Sequence, residues 1–183
     1  EQFVSFPVSL YKNSPYWVPS IFKDELKSFE LNENILKIVN VKYFLAFKNK
    51  DVVGRIAIII NQTEVNELHK RKIRFGWFDF IDDIEVSQAL LQKAEEIARQ
   101  NNLEYIEGPM GFTNMDKAGM LTDGFDKMPT LIGLYNYSYY PQHMEQLGYK
   151  PEAEWLEYSM NLSDTGQAWN IENTAALIAN GYK

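Results

Sequence analysis

An amphipathic stretch from Ile84 to Gln100, set between two short apolar runs, constrains the fold more than any other feature of this chain. Val86, Ala89, Leu90, Ala94, Ile97 and Ala98 recur at spacings of three and four, which places them on one helical face. Glu85, Gln88, Gln92, Glu95, Glu96 and Arg99 are left outward. Asp82 with Glu85 three residues later makes a capping-box-like start, and Asn101-Asn102 ends the helix. Ile73 to Ile81 on one side and Leu103 to Glu107 on the other have the composition of strands, Phe75, Trp77 and Asp79 pointing one way and Gly76, Phe78 and Phe80 the other. Two strands joined through one helix form a βαβ unit, with parallel strands and a right-handed crossover.

Other elements arrange themselves around that unit. Phe3 to Phe29 is aromatic and punctuated by proline, predicting a short helix, a loop turned at Val18 by Pro19, and a second helix. Tyr43–Phe47 and Val52–Ile60 are β-branched and aromatic runs about the polar Lys48-Asn49-Lys50-Asp51, a hairpin signal. The basic cluster His69-Lys70-Arg71-Lys72, with Arg74, reads as a solvated connection, with a phosphate-facing patch as the alternative. After Gly108-Pro109 comes a long segment without regular pattern, where Met110, Phe112, Met115, Met120, Leu121, Phe125 and Met128 argue for order. A helix over Tyr139–Gln146 follows, then Gly148 at a left-handed position, then a closing strand over Trp155–Leu162 with alternating Leu156, Tyr158 and Met160.

Composition excludes several functions. A net charge of −7 argues against a nucleic-acid partner, since such affinity comes largely from Lys and Arg neutralising phosphates. With no cysteine, and only His69 and His143, neither a thiolate nucleophile nor a Cys/His metal site is expected, and no metal is. No run of about 18 apolar residues and no secretory layout appear, so no membrane partner is expected and the cytoplasm is the default location. The sequence starts without Met and stops in the helical stretch from Ala175 to Lys183, as a fragment would, and a further domain is expected after Lys183.

The order of elements from about Lys42 to Asn161 resembles the GNAT superfamily of N-acetyltransferases. Trp17-Val18-Pro19, Val53-Gly54-Arg55-Ile56, Gly108-Pro109-Met110, Asp123-Gly124-Phe125, Asn136, Tyr139-Tyr140-Pro141 and Gly148-Tyr149 are similar to a bacterial GNAT-like family with a degenerate acyl-coenzyme A pyrophosphate loop. The resemblance implies an α/β (α+β) fold. Its mixed, mostly antiparallel sheet would be flanked by helices and split by a V-shaped opening between Ile73–Ile81 and Leu103–Glu107. Residues 1–162 would form the domain, and 163–183 the start of a following helix or segment.

The same resemblance implies that the backbones of Trp77, Phe78 and Asp79 hold the pantetheine arm of acetyl-coenzyme A or another acyl-coenzyme A. The turn Ile81-Asp82-Asp83-Ile84-Glu85-Val86 would meet its pyrophosphate, with Val86 the last contact, yet this turn has no glycine and three carboxylates. Acids at a helix start occupy the amides and dipole that a diphosphate needs, so coenzyme A binding there is expected to be weak. The general-acid tyrosine of many members, four residues before the glycine of the later turn, falls on Met144, which has no proton to give. Tyr140 substitutes only if the helix is displaced.

Asp79, mid-strand among aromatics, is the best candidate base because burying it without a partner would be costly; a solvent-facing residue is the alternative. Asn114, Asp123, Asn136 and Tyr139 are candidate contacts for a small-molecule substrate, with ordinary turn chemistry as the alternative for the loop residues. Arg55 is expected to pair with a carboxylate within the protein. Two functions fit: an N-acyltransferase-like protein acting on an amine, or a catalytically silent domain that binds a small ligand or supports a partner domain.

Overall fold

A computed structural model describes residues 1–30, 37–159, 161 and 167–181. Two compact units make up the chain, Glu1–Tyr149 and Lys150–Lys183. The first holds helices α1 (Gln2–Leu10) and α2 (Phe22–Ser28) and the hairpin β1 (Val39–Lys48) and β2 (Asp51–Asn61). A π-helical turn (Thr63–Glu67), β3 (Lys72–Phe80), α3 (Ile84–Gln100), β4 (Tyr105–Glu107) and α4 (Tyr139–Gln146) follow. The second unit carries α5 (Gln167–Ala179).

The sheet runs β1-β2-β3-β4, with antiparallel pairs at β1/β2 and β2/β3 and a parallel pair at β3/β4. Asn49 turns the hairpin at φ 59°, a conformation asparagine tolerates better than most side chains. The parallel ladder is short: Lys72↔Tyr105, Ile73↔Ile106 and Arg74↔Glu107. Beyond it the chain stays beside β3 only to Met110, whose amide donates to the Phe75 carbonyl at 2.8 Å. The far end of β3, Trp77 to Phe80, therefore has an edge free of strand pairing among the described residues, and this is the opening in the sheet.

α3 spans the predicted residues, and Val86, Leu90, Ala94, Ile97 and Ala98 are buried as its periodicity requires, joined by Ser87 and Leu91 while Ala89 is exposed. It covers the face of the sheet carrying Ile56, Ile58, Ile73, Phe75, Phe78 and Phe80. Gly54 marks the closest approach, since an added Cβ would lie 2.9 Å from both Leu90 and Val86 side chains. α1 packs over β2 on the opposite face, where Arg55 Nη1 donates to the Phe3 carbonyl at 2.7 Å.

Three expectations need correction. The alternation along β3 breaks: Phe75 shares the α3 face with Phe78 and Phe80 because a bulge inserts one residue between them. Lys72 and Arg74 lie neither in a solvated connection nor on a phosphate patch. Both are buried strand residues, paired with Glu64 of the π-helical turn at 3.0 and 2.7 Å. The first compact unit ends at Tyr149 and the second begins at Lys150, and the closing strand expected over Trp155–Leu162 is absent from residues 155–159. Trp155, Leu156 and Tyr158 are all exposed there: alternation supplies strand propensity but no ladder partner. Met160 and Leu162 lie outside the described residues.

Candidate functional site

The bulge in β3 shapes the site. Between the pairs Arg55↔Asp79 and Ala57↔Gly76, Trp77 and Phe78 together oppose Ile56, and Trp77 takes φ 45° to do so. Such a φ is costly for a bulky side chain and persists only where surrounding structure dictates it. Here Phe29 and Phe112 hold the indole, with ring centroids 5.1 and 4.7 Å away. Past the bulge, Asp79 lies across from Arg55, on the α1 face.

Asp79 is fully engaged. Arg55 Nε donates to Oδ2 at 2.7 Å, and the Tyr11 hydroxyl at the end of α1 donates to Oδ1 at 2.9 Å. Tyr140, in the first turn of α4, places its hydroxyl 2.7 Å from that of Tyr11 and 3.4 Å from Asp79 Oδ1, and accepts the Phe80 amide at 3.1 Å. Burial, then the Asp79 charge, pushes both phenols well above the ordinary tyrosine pKa. Both hydroxyls are therefore protonated at neutral pH, each a weaker acid than a free phenol.

A pocket of about 850 Å³ opens beside this cluster, bounded by Trp77, Phe78, Asp79, Tyr140, the segment after Pro109 and the first two helices with their connection. Its exposed rim is mixed: Val8, Val18, Ile21, Phe22 and Leu131, between 41% and 88% exposed, stand beside exposed Asp24, Asp116 and Lys117.

At the start of α3 the turn is occupied by its own side chains. Asp83 is the N-cap, accepting the Glu85 amide at 3.0 Å, while Lys48 Nζ reaches its other oxygen at 2.9 Å. Lys48, then the Glu85 amide, holds this carboxyl below its usual range. Asp82, expected to cap the helix, instead meets His143 Nε2 at 3.1 Å, with Ser87 Oγ 3.0 Å from Nδ1 of the same ring. Val86 is buried, and its amide already donates to the Asp83 carbonyl. The residues present do not fit a diphosphate at this turn: an oxyanion would meet carboxylates where it needs amides.

Among the expected substrate contacts, Asn136 lines the pocket, yet its amide group is spent holding both backbone groups of Leu121 at 2.7 and 3.1 Å. Asn114 is absent from the pocket wall and accepts from buried Arg74 at 2.7 Å. Asp123 is exposed and also absent from the wall. Tyr139 donates to the Phe80 carbonyl at 2.5 Å, so it and Tyr140 together satisfy both backbone groups of Phe80 at the end of the open edge of β3. Met144 packs against the core, and Tyr140, one turn earlier, is the hydroxyl that reaches the pocket. Tyr11 escaped the sequence reading, because nothing local separates it from the other aromatics before Phe29. Among the described residues no group of three or more His, Asp or Glu side chains is arranged to hold a metal, and no helix is long and apolar enough to cross a membrane.

Two leading helices, an antiparallel hairpin extended by a third bulged strand, and a helical crossover to a parallel fourth strand that parts from its neighbour make a mixed, mostly antiparallel sheet flanked by helices, as the order of elements in the sequence led us to expect. No family model matches the sequence. Protein YghO of Escherichia coli (strain K12) is 30% identical over 162 residues, covering 88% of this chain and 42% of the relative. A bacterial ceramide synthase of Caulobacter vibrioides is 25% identical over 160 residues, covering 86% and 42%. The chain thus spans about two fifths of the length of these curated relatives. Two solved structures, both provisionally assigned as acetyltransferases, align with TM-scores of 0.49 and 0.45. The first, from Pyrococcus furiosus, is 18% identical over 87% of this chain and 92% of that one; the second is 14% identical over 89% and 94%.

Proposed function

We propose that this domain is an N-acyltransferase site, in which the amine of a small molecule attacks an acyl thioester in the pocket beside Asp79. The observation that carries the reading is the convergence of one carboxylate and two protonated phenols on the pocket wall, just past the bulge of β3. Amide formation from a thioester takes a proton off nitrogen and returns one to sulfur. Asp79 is the acceptor in this scheme and Tyr140 the donor. The backbone from Trp77 to Asp79 borders the thioester arm. Asn136 acts indirectly, by holding Leu121 in place.

The donor to test is an acyl-coenzyme A, held by its acyl and pantetheine end. With Asp83 on the first amides of α3, the nucleotide end gains little from that turn. The exposed apolar residues on the rim and the relative named as a bacterial ceramide synthase both support a hydrocarbon tail on the acyl group or the amine. Since the relatives are more than twice as long as this chain, the activity of the whole protein belongs to the proposal as well.

Titration calorimetry with acetyl-coenzyme A and palmitoyl-coenzyme A, followed by an amine screen monitored by thiol release, tests the reading. Binding of the longer donor is expected to be the tighter. Asp79→Asn is expected to lower transfer at least about 10²-fold while binding persists. Absence of binding to either donor at millimolar concentration would sink the proposal.

A further inference from the structure

Resting on the acyltransferase reading, we infer that Tyr11 is a positioning and relay residue of the site, carrying the proton from Asp79 to Tyr140. Distance decides the route. Asp79 Oδ1 and the Tyr140 hydroxyl are 3.4 Å apart, at the outer limit of a hydrogen bond, whereas the path through Tyr11 has steps of 2.9 and 2.7 Å. Tyr140 cannot turn freely toward Asp79, because its oxygen also accepts the Phe80 amide.

Tyr11 is well placed to hold that geometry. It is 1% exposed, stacks on Trp17 with centroids 5.2 Å apart, and meets Tyr137 at 5.1 Å. The Asp79 oxygen not bound by Tyr11 is held by Arg55, which in turn is anchored on the Phe3 carbonyl. α1 therefore contributes both the relay hydroxyl and the anchor of the arginine.

The step balances without any further reactant. As the amine nitrogen forms its bond to the acyl carbon and the carbon–sulfur bond breaks, the proton leaving nitrogen goes to the Asp79 carboxylate. At rest the Tyr11 hydroxyl donates to the carboxylate; once Asp79 is protonated that hydroxyl turns to Tyr140, so that Asp79 passes its proton to the Tyr11 oxygen, Tyr11 its own to Tyr140, and Tyr140 its own to the departing thiolate. The products are an amide and a thiol, and all three side chains return to their starting protonation states.

The test compares the wild-type chain with Tyr11→Phe, Tyr140→Phe and the double variant, using palmitoyl-coenzyme A and the best amine of the screen. Tyr11→Phe keeps the ring and its stacking, so circular dichroism and the thermal midpoint serve as controls. The expected result is a fall in kcat of about 10²-fold with KM within about twofold, and a solvent deuterium isotope effect on kcat that differs from the wild type. The double variant is expected to lose no more than either single one, as steps in series require. A folded Tyr11→Phe variant with wild-type kcat and isotope effect, or losses that multiply in the double variant, would overturn the relay and leave the acyltransferase reading standing. A wild type that transfers nothing would overturn both.

Discussion

At the scale of single residues, buried charges are offset by one another in two clusters. One is Arg55 with Asp79; the other joins Lys72 and Arg74 to Glu64, with Glu107 bonded to Lys72 and Asn114 to Arg74. Burial alone would raise Glu64, but bonds from Arg74 and Lys72 outweigh it and hold the carboxyl below its ordinary value of 4.5. Glu64 is bidentate on Arg74, with 2.7 Å from Nε to Oε2 and 2.7 Å from Nη2 to Oε1. Glu64→Gln leaves Arg74, 2% exposed, without a counter-charge, and breaking a buried pair typically costs about 3–5 kcal/mol. Urea denaturation of the variant is expected to show a loss of about 3 kcal/mol, and a loss under about 1 kcal/mol would mean that the pair is solvated. None of this was legible in the sequence, where Lys72 and Arg74 stood in a run of basic residues and Glu64 in a polar connection. Their burial follows from cover on both faces of the strand: every residue from Lys72 to Gly76 is buried, so neither face turns a charge to solvent.

At the scale of elements, the helix α3 and the hairpin were readable because their patterns are local: spacings of three and four, and apolar runs about a polar turn. The bulge was not, since an inserted residue leaves no mark where Trp77, Phe78 and Phe80 put aromatics on both faces of the strand. Its consequence is large, for it turns Phe78 and Phe80 into the core while Asp79 stays on the pocket side. Beside it, Gly76 allows the segment after Pro109 to lie against β3: an added Cβ would sit 2.2 Å from the Met110 carbonyl oxygen. Gly76→Ala must therefore push that backbone away, at a cost of about 3 kcal/mol by analogy with overpacked cores. Hydrogen exchange at the Met110 amide, now bonded to the Phe75 carbonyl, is expected to quicken in this variant. Unchanged protection there would show that the two segments do not depend on each other. The loop itself only half meets its expectation of order. Phe112 and Met120 pack inward, but Met115 and Met128 are 94% and 63% exposed.

At the scale of the whole molecule, tyrosine is the residue that ties the end of α1, the sheet edge and α4 together. Tyr11, Tyr135, Tyr137, Tyr139 and Tyr140 form a continuous aromatic seam. Burial raises Tyr11, Tyr139 and Tyr140 above the ordinary value of 10.0, and lifts Tyr43 and Tyr149 to about 12. Above pH 10 the unfolded chain loses phenolic protons that the native protein keeps, so these groups contribute stability in full below about 10 and lose it as pH rises through about 12. Thermal melts are expected to show a midpoint falling steeply from pH 10 to 12, alongside late tyrosinate absorbance in the native state. Tyrosines that all titrate near 10 while the protein stays folded would contradict this. The sequence by itself determined the elements with strong local patterns, the parallel pair about α3, the acids at its first turn and the candidacy of Asp79. Tertiary structure alone decided that Asp79 is bound by Arg55 and Tyr11, that Tyr140 rather than Met144 meets the pocket, and that Asn114 serves a buried arginine. The reason is physical: periodicity and capping are written within a few consecutive residues, whereas a hydrogen bond between Tyr11 and Tyr140 joins positions 129 apart, which only packing brings together.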